Sequence, residues 1–262
     1  MTYLQAVVLG IVQGLTEFLP ISSSGHLILV PRVVGWPDQG LAFDAAMHLG
    51  TLAALFAYFR RELCDLLSGA LAPQVGAAVV VASLPALAVG WLLDRWIEAT
   101  LRGALVVAAS TAFWGLVMWV ADRRARGRPP GPGDPLEQVG WARALAIGGA
   151  QALALIPGTS RSGITITTGL FTGLDRATAA RFSFLLGIPV TAAAGAYKAL
   201  GLVHHGLGPG EGGPLLTAIA AAFLSGWLAV WFLVGYLQRR SLWPFVVYRL
   251  LLAVVIVAVV PW

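Results

Sequence analysis

Four polar groups of residues interrupt an otherwise apolar chain, and each has types and spacing that can do chemistry. Gln13 and Glu17 stand four apart, so a helix would place them on one face. A carboxylate in so apolar a setting is costly and marks a functional position by default. The run Ser22-Ser23-Ser24-Gly25-His26 follows Pro20. Pro stops one helix, and Ser suits the N-cap of the next. Backbone N–H groups and hydroxyls there would form an anion site, and a Ser close to a His can act as an activated nucleophile or an acid–base pair. The run Pro157-Gly158-Thr159-Ser160-Arg161-Ser162-Gly163 offers glycines for close backbone approach and a planar guanidinium matched to phosphate oxygens. Asp44 and His48, again four apart, open a further apolar run. Each group has a plainer reading: Glu17 paired with Arg161 for structure, an ordinary capped turn, or a helix-start charge with a core histidine. His204 and His205 fall in a Gly-rich loop and are set aside.

The elements that must hold these residues follow from composition. The chain has 262 residues, 58% hydrophobic and 11% charged, with a mean hydropathy of +0.81. A soluble domain carries roughly 25% charged residues, so there is too little charge here to coat a water-facing surface. Apolar runs of spanning length place membrane helices near 41–60, 75–93, 104–121, 177–200, 215–237 and 244–260. The net charge of +5 comes from arginines at the ends of these runs. That pattern obeys the positive-inside rule and does not indicate a nucleic-acid surface. Cys64 is the single cysteine, which excludes an intrachain disulfide and a Cys-based metal site. Met1–Leu9 lacks a basic region and a cleavage site, and reads as the start of a structural helix.

The hydrophilic stretch 122–135, DRRARGRPPGPGDP, separates two similar halves, 1–121 and 136–262, within one membrane domain. Gly10, Gln13, Leu15, Ser22, Ser24 and Gly25 recur as Gly148, Gln151, Leu153, Ser160, Ser162 and Gly163 at a constant offset of 138. In both windows an apolar arm meets a Pro, then a Ser/Gly stretch, then another apolar arm. Non-helical backbone at membrane depth needs protein or a water-filled cavity around it, so each window is expected to be a re-entrant helical hairpin, with a kinked spanning helix as the alternative. Arg60, Arg61, Arg123, Arg124, Arg126, Arg128, Arg239 and Arg240 then fall on the cytoplasmic side, and both termini fall outside. The expected fold is an all-α polytopic membrane protein. It is an inverted-topology repeat of six transmembrane helices and two re-entrant hairpins whose broken segments meet near the midplane.

The texts QGLTEFLPISSSGH and PGTSRSG, with FDAAMHLG, FSFLLGIPV and PFVVYR, resemble the bacterial undecaprenyl-diphosphatase family, also called the bacitracin-resistance protein family. The likeness runs through nearly the whole chain. It implies hydrolysis of undecaprenyl diphosphate to the monophosphate, which regenerates the lipid carrier for cell-wall sugars. It implies a divalent cation (Mg²⁺ or Ca²⁺) near Glu17 and a bacterial inner-membrane location, with the site open to the periplasm. The family's acidic motif often has Glu at both ends, whereas this chain has Gln13 at the first.

Carried over by position, Glu17, Ser23, His26 and Arg161 are the expected catalytic residues. Gln13, Ser22, Ser24, Gly25, Thr159, Ser160, Ser162, Gly163, Asp44 and His48 are the expected substrate contacts. Either Ser23 attacks phosphorus with His26 as its acid–base partner, or His26 and Glu17 activate a water. The expected partners are a polyprenyl diphosphate and membrane lipids, with a homodimer as a further candidate and no nucleic acid. Ser24-Gly25-His26 and Ser160-Arg161 also look like texts of type 2 phosphatidic acid phosphatases, but no later His-Asp pair follows Arg161 at membrane depth. A transporter shares the expected architecture, and phosphate release would separate it from an enzyme.

Overall fold

The computed structural model describes residues 1–37, 41–101, 103–128, 134–205 and 210–259, apart from the side chains of 41, 42, 44, 45, 94, 95, 98 and 197–205. The described residues form helices and turns. In order they are α1 (Tyr3–Phe18), α2 (Ser23–Val34), α3 (Leu41–Tyr58), α4 (Arg60–Ser68), α5 (Pro73–Thr100), α6 (Ala104–Arg124), α7 (Trp141–Ala152), α8 (Arg161–Phe171), α9 (Arg176–His205), α10 (Gly212–Leu237) and α11 (Trp243–Val259). A 3₁₀ turn, Leu153–Leu155, extends α7.

Local chemistry sets many of these bounds. Thr2 and Gln5 close a reciprocal cap at the start of α1, satisfying two backbone donors. Pro73 opens α5, where a missing N–H costs nothing. Arg123 and Arg124 end α6, where cations complement the carbonyl end of the helix dipole. Pro85 and Pro189 lie inside α5 and α9, which nevertheless run on to 100 and 205. Both helices therefore exceed the spans expected at 75–93 and 177–200. The amphipathic α4 was not anticipated. It buries none of its residues, and Glu62 ties it to Arg181 of α9 at 3.0 Å.

Among the described residues, four segments are long and apolar enough to cross a membrane: Pro73–Leu93, Ala104–Arg124, Arg176–Ala196 and Gly212–Leu237. Tyr3–Phe18, Ala46–Tyr58 and Trp243–Val259 are shorter apolar helices. The expected spans near 41–60 and 244–260 thus belong, in their described parts, to the shorter class. Large apolar side chains such as Leu4, Trp91, Leu216 and Val254 point outward. In water such a surface would aggregate; in lipid it is the solvent-facing side. The chain is a polytopic α-helical membrane protein.

Helices approach closely where small residues face each other. A Cβ on Gly10 of α1 would stand 2.5 Å from the Ala218 carbonyl of α10, and one on Gly148 of α7 would stand 2.1 Å from the Ala82 carbonyl of α5. Small residues at such crossings let backbones pack without a side chain between them. Phe18, Phe59 and Phe184 centre the main core, with Phe18 and Phe184 edge to face at 5.6 Å. Arg176 and Asp122 pair between α9 and α6, and the Asp122 carboxylate also accepts from the Leu242 N–H just before α11.

Candidate functional site

The two interrupted segments meet inside the bundle through their tips. Helix α1 stops at Phe18, and Pro20 and Ile21 lead to Ser22 at the N-cap of α2. Helix α7 and its 3₁₀ turn stop at Leu155, and Pro157 and Gly158 lead to Ser160 at the N-cap of α8. Ser22 has φ 74° and Ser160 has φ 70°, the two non-glycine residues with positive φ among those described. Such backbone costs of order 1–3 kcal/mol and persists where surrounding structure enforces it, often at a functional site. In both tips the strained Ser pairs its hydroxyl with the Ser two places on: Ser22 with Ser24 at 3.2 Å, Ser160 with Ser162 at 3.3 Å.

Hydrogen bonds stitch the tips together. The Gly158 N–H donates to Ser24 Oγ at 3.2 Å, and Ser162 Oγ donates to the Leu19 carbonyl at 3.3 Å. Arg249 of α11 is buried, and it donates from Nη1 to the Pro20 carbonyl, from Nη2 to the Gly158 carbonyl and from Nε to the Thr111 carbonyl. Its partners are carbonyls, with no carboxylate among the described residues. It is a cationic peg through both tips.

Glu17 is the hub of the site. One carboxylate oxygen, Oε1, accepts from Arg161 Nη2 at 3.2 Å. The other, Oε2, accepts from Ser23 Oγ at 3.1 Å and from Gln13 Nε2 at 3.2 Å, and lies 3.6 Å from His48 Nε2. Arg161 also donates from Nη1 to the Ser183 carbonyl of α9 at 3.1 Å, while its Nε has no acceptor among the described residues. Gly187 makes room for this guanidinium: a Cβ there would sit 2.2 Å from Nη1. The pairing of Glu17 with Arg161 weighed from sequence does form, and it brings the nucleophile candidate with it.

A cavity of about 210 Å³ opens beside this hub. Glu17, Ser22, Ser23, Ser24, His48, Ser160 and Arg161, all singled out in the sequence, line it. Its remaining wall is mostly apolar, with Ala86, Leu155, Val190 and Ala194. Gln13, Gly25, Thr159, Ser162 and Gly163 lie behind the lining. Gly25 packs near Leu252 and Ile256 of α11, Gly163 lies against Arg249, and Thr159 bonds to Ser110 at 3.0 Å. The Asp44 side chain lies outside the described residues.

His26 is placed differently from the sequence expectation. Its Nδ1 meets the Ser22 carbonyl at 2.7 Å and its Nε2 meets the Tyr248 hydroxyl at 2.6 Å, with the two rings stacked at 5.5 Å. Both ring nitrogens are thus engaged away from Ser23, and the group in contact with the Ser23 hydroxyl is Glu17. The physical reason is helix geometry: His26 follows Ser22 by four residues, so its ring folds back on that carbonyl. Sequence reasoning also passed over Arg249 and Tyr248. An arginine inside the apolar run WPFVVYRLLLAVVIVAV was the available signal.

No group of three or more His, Cys, Asp or Glu gathers into a metal site among the described residues. Among the described residues, Glu17 and His48 supply two donors on one edge of the cavity. That set fits a hard divalent cation that takes one carboxylate and fills its remaining positions with phosphate oxygens and water.

The sequence profile described as "Bacitracin resistance protein BacA" matches residues 6–255. The chain is 47% identical to a protein named "Undecaprenyl-diphosphatase" from Chromohalobacter salexigens, with 98% of each chain covered. It is 47% identical to one of the same name from Hahella chejuensis over 96% of each chain. A third, from Alcanivorax borkumensis, is 48% identical over 97% of each.

Proposed function

The chain belongs to the bacitracin-resistance protein family, and on that footing we propose that it hydrolyses undecaprenyl diphosphate to undecaprenyl phosphate and inorganic phosphate. The observation that carries this reading is the Glu17 carboxylate, which touches both a hydroxyl and a guanidinium at the edge of a cavity. A binding site alone has no use for a base held against a serine. A phosphatase uses the base to activate an attacking oxygen and the guanidinium to hold the phosphoryl group under attack.

Ser23 Oγ attacks the terminal phosphorus. Its proton passes to Glu17 Oε2, already in hydrogen-bond contact. The bond from the terminal phosphorus to the bridging oxygen breaks, and its electron pair leaves on undecaprenyl phosphate. Water then attacks the phosphoserine phosphorus, the bond from phosphorus to Ser23 Oγ breaks, inorganic phosphate departs, and Glu17 returns its proton to Ser23 Oγ. Arg161 turns its open Nε edge to the nonbridging oxygens, with Ser160 and Ser24 adding hydroxyls at the cavity wall. A divalent cation held by Glu17, with His48 in reach, would neutralise part of the diphosphate charge. The apolar wall of Ala86, Leu155, Val190 and Ala194 suits the first isoprenyl units of the tail.

The inverted repeat belongs to the same reading. Contacts between α1 and α10 have a counterpart between α7 and α5, and those between α3 and α10 have one between α9 and α5. The strained serines sit at the same offset of 138. These correspondences support two re-entrant hairpins among six spans, and the family reading adds a bacterial inner membrane with the site open to the periplasm. The deciding experiment is phosphate release from purified protein in detergent, with undecaprenyl diphosphate as substrate. Steady release, abolished in Ser23→Ala, is expected; substrate binding without release in the intact protein would mark a carrier instead.

A further inference from the structure

Gln13 and Gln151 occupy matching places before the two tips, but only one has its company. Gln13 donates to Glu17. The residue matching Glu17 in the second half is Leu155, so Gln151 faces no carboxylate there. Gln151 is 1% exposed, and both its Nε2 and its Oε1 lack a hydrogen-bond partner. Yet it borders the same cavity as Glu17, Ser23 and Arg161. A buried amide without partners loses its hydration and regains nothing, and such a group in a native fold calls for an occupant. An apolar side chain, as at Leu155, would cost less.

The chemistry of the unpartnered atoms limits the occupant. Nε2 needs an acceptor and Oε1 needs a donor. A phosphoryl group supplies both, through a nonbridging oxygen and through its own P–OH or an attached water. We propose that Gln151 is a substrate ligand: its amide N–H donates to a nonbridging oxygen of the diphosphate opposite Arg161, and its carbonyl accepts from the phosphate hydroxyl or bound water. A neutral donor suits this place. It holds the phosphoryl group without adding a second cation that would retain the phosphate product. The inference rests on the phosphatase reading of the cavity and assigns that reading one more contact.

The test uses the full chain in detergent, with Gln151→Leu and Gln151→Glu. Gln151→Leu removes the unsatisfied amide at similar volume, so its unfolding temperature should equal or exceed that of the wild type. Its kcat/KM for undecaprenyl diphosphate should nonetheless fall about tenfold or more, and inhibition by inorganic phosphate should weaken by a similar factor. Gln151→Glu, which sets an anion against the phosphate, should fall further. A Gln151→Leu protein within threefold of wild type, with unchanged phosphate inhibition, would overturn the proposal and leave the amide to a buried water. Should Gln151→Leu not fold, the shift in unfolding temperature caused by saturating inorganic phosphate decides between wild type and Gln151→Glu. A shift equal in the two rejects the contact, and one lost only in Gln151→Glu supports it. A wild type that releases no phosphate would instead sink the phosphatase reading, while the phosphate-induced shift would still report on Gln151.

Discussion

The first tip and the second tip are built alike and equipped differently. Each has a proline, a serine at positive φ, a second serine two places on and a glycine three places on. Between the paired serines the first tip carries Ser23 and the second carries Arg161. Upstream, the first has Glu17 where the second has Leu155. Their enclosure differs too. Helix α8 buries eight of its eleven residues and α2 buries five of twelve, so the arm with the cation is the more deeply set. Ser160 caps α8 by accepting from the Gly163 N–H at 3.2 Å, whereas Ser22 makes no side-chain cap. One backbone device occurs twice and its side chains are divided: a carboxylate and a hydroxyl go with the first copy, a guanidinium with the second.

Exchanging or deleting the parts tests that division. The largest effect is expected where the first tip loses its chemistry. Ser23→Ala and Glu17→Gln should each lower turnover by about 10²–10⁴-fold, the usual range for a positioned acid–base group. Trapping a phosphoserine at position 23 in the wild type would identify the attacking oxygen. A Ser23→Ala protein within tenfold of wild type would remove serine attack from the mechanism, since tenfold is only about 1.4 kcal/mol of barrier.

Next comes the peg that makes the two tips neighbours. Arg249→Met strips donors from the Pro20, Gly158 and Thr111 carbonyls. The Gly158 carbonyl keeps the Thr111 hydroxyl as a donor, so the loss falls mainly on the Pro20 carbonyl and should be about 1–3 kcal/mol of stability. Denaturant unfolding in detergent would measure it, and an unchanged midpoint would show that the tips hold together without α11.

The second tip's own chemistry should weigh less than the first's. Arg161→Lys keeps the charge but gives up the planar fork, and should lower kcat/KM at least tenfold, with Arg161→Ala lower still. If Glu17 and Arg161 serve only to neutralise each other, the double variant Glu17→Gln, Arg161→Gln would release phosphate at near wild-type rates. The smallest effect separates the two caps. Glycine relieves the positive φ in both Ser22→Gly and Ser160→Gly, but only the second loses a cap, by up to a few tenths of a kcal/mol. Ser160→Gly should therefore unfold at the lower temperature of the two.

Much of this site was legible in the sequence because polar residues inside apolar runs have few reasons to be there. Glu17, Ser23 and Arg161 were found that way, and they meet. The offset of 138 also found the two strained serines. The partner of Ser23 was not legible. Proximity in sequence favoured His26, but a helix carries the residue four places on back over its own first carbonyl, and His26 turned to Ser22 and Tyr248. Arg249 escaped for the opposite reason: its acceptors lie 91 and 229 residues away, and no local pattern announces contacts of that range. Helix α4 was missed because a nine-residue amphipathic segment leaves no trace in a search for spans. The long ends of α5 and α9 were missed because helices can run past the apolar stretch that reveals them.

The peg has a mechanical consequence. Because a single guanidinium grips the carbonyl before each strained serine's turn, α11 works as a tie rod between two jaws. Neither jaw can swing alone without tearing a bond to the rod. Any opening that admits a bulky headgroup must therefore carry α11 and both jaws together, or release the rod first. While the rod holds, the Glu17 carboxylate and Ser23 hydroxyl on one jaw and the Arg161 guanidinium on the other keep the spacing of the resting protein.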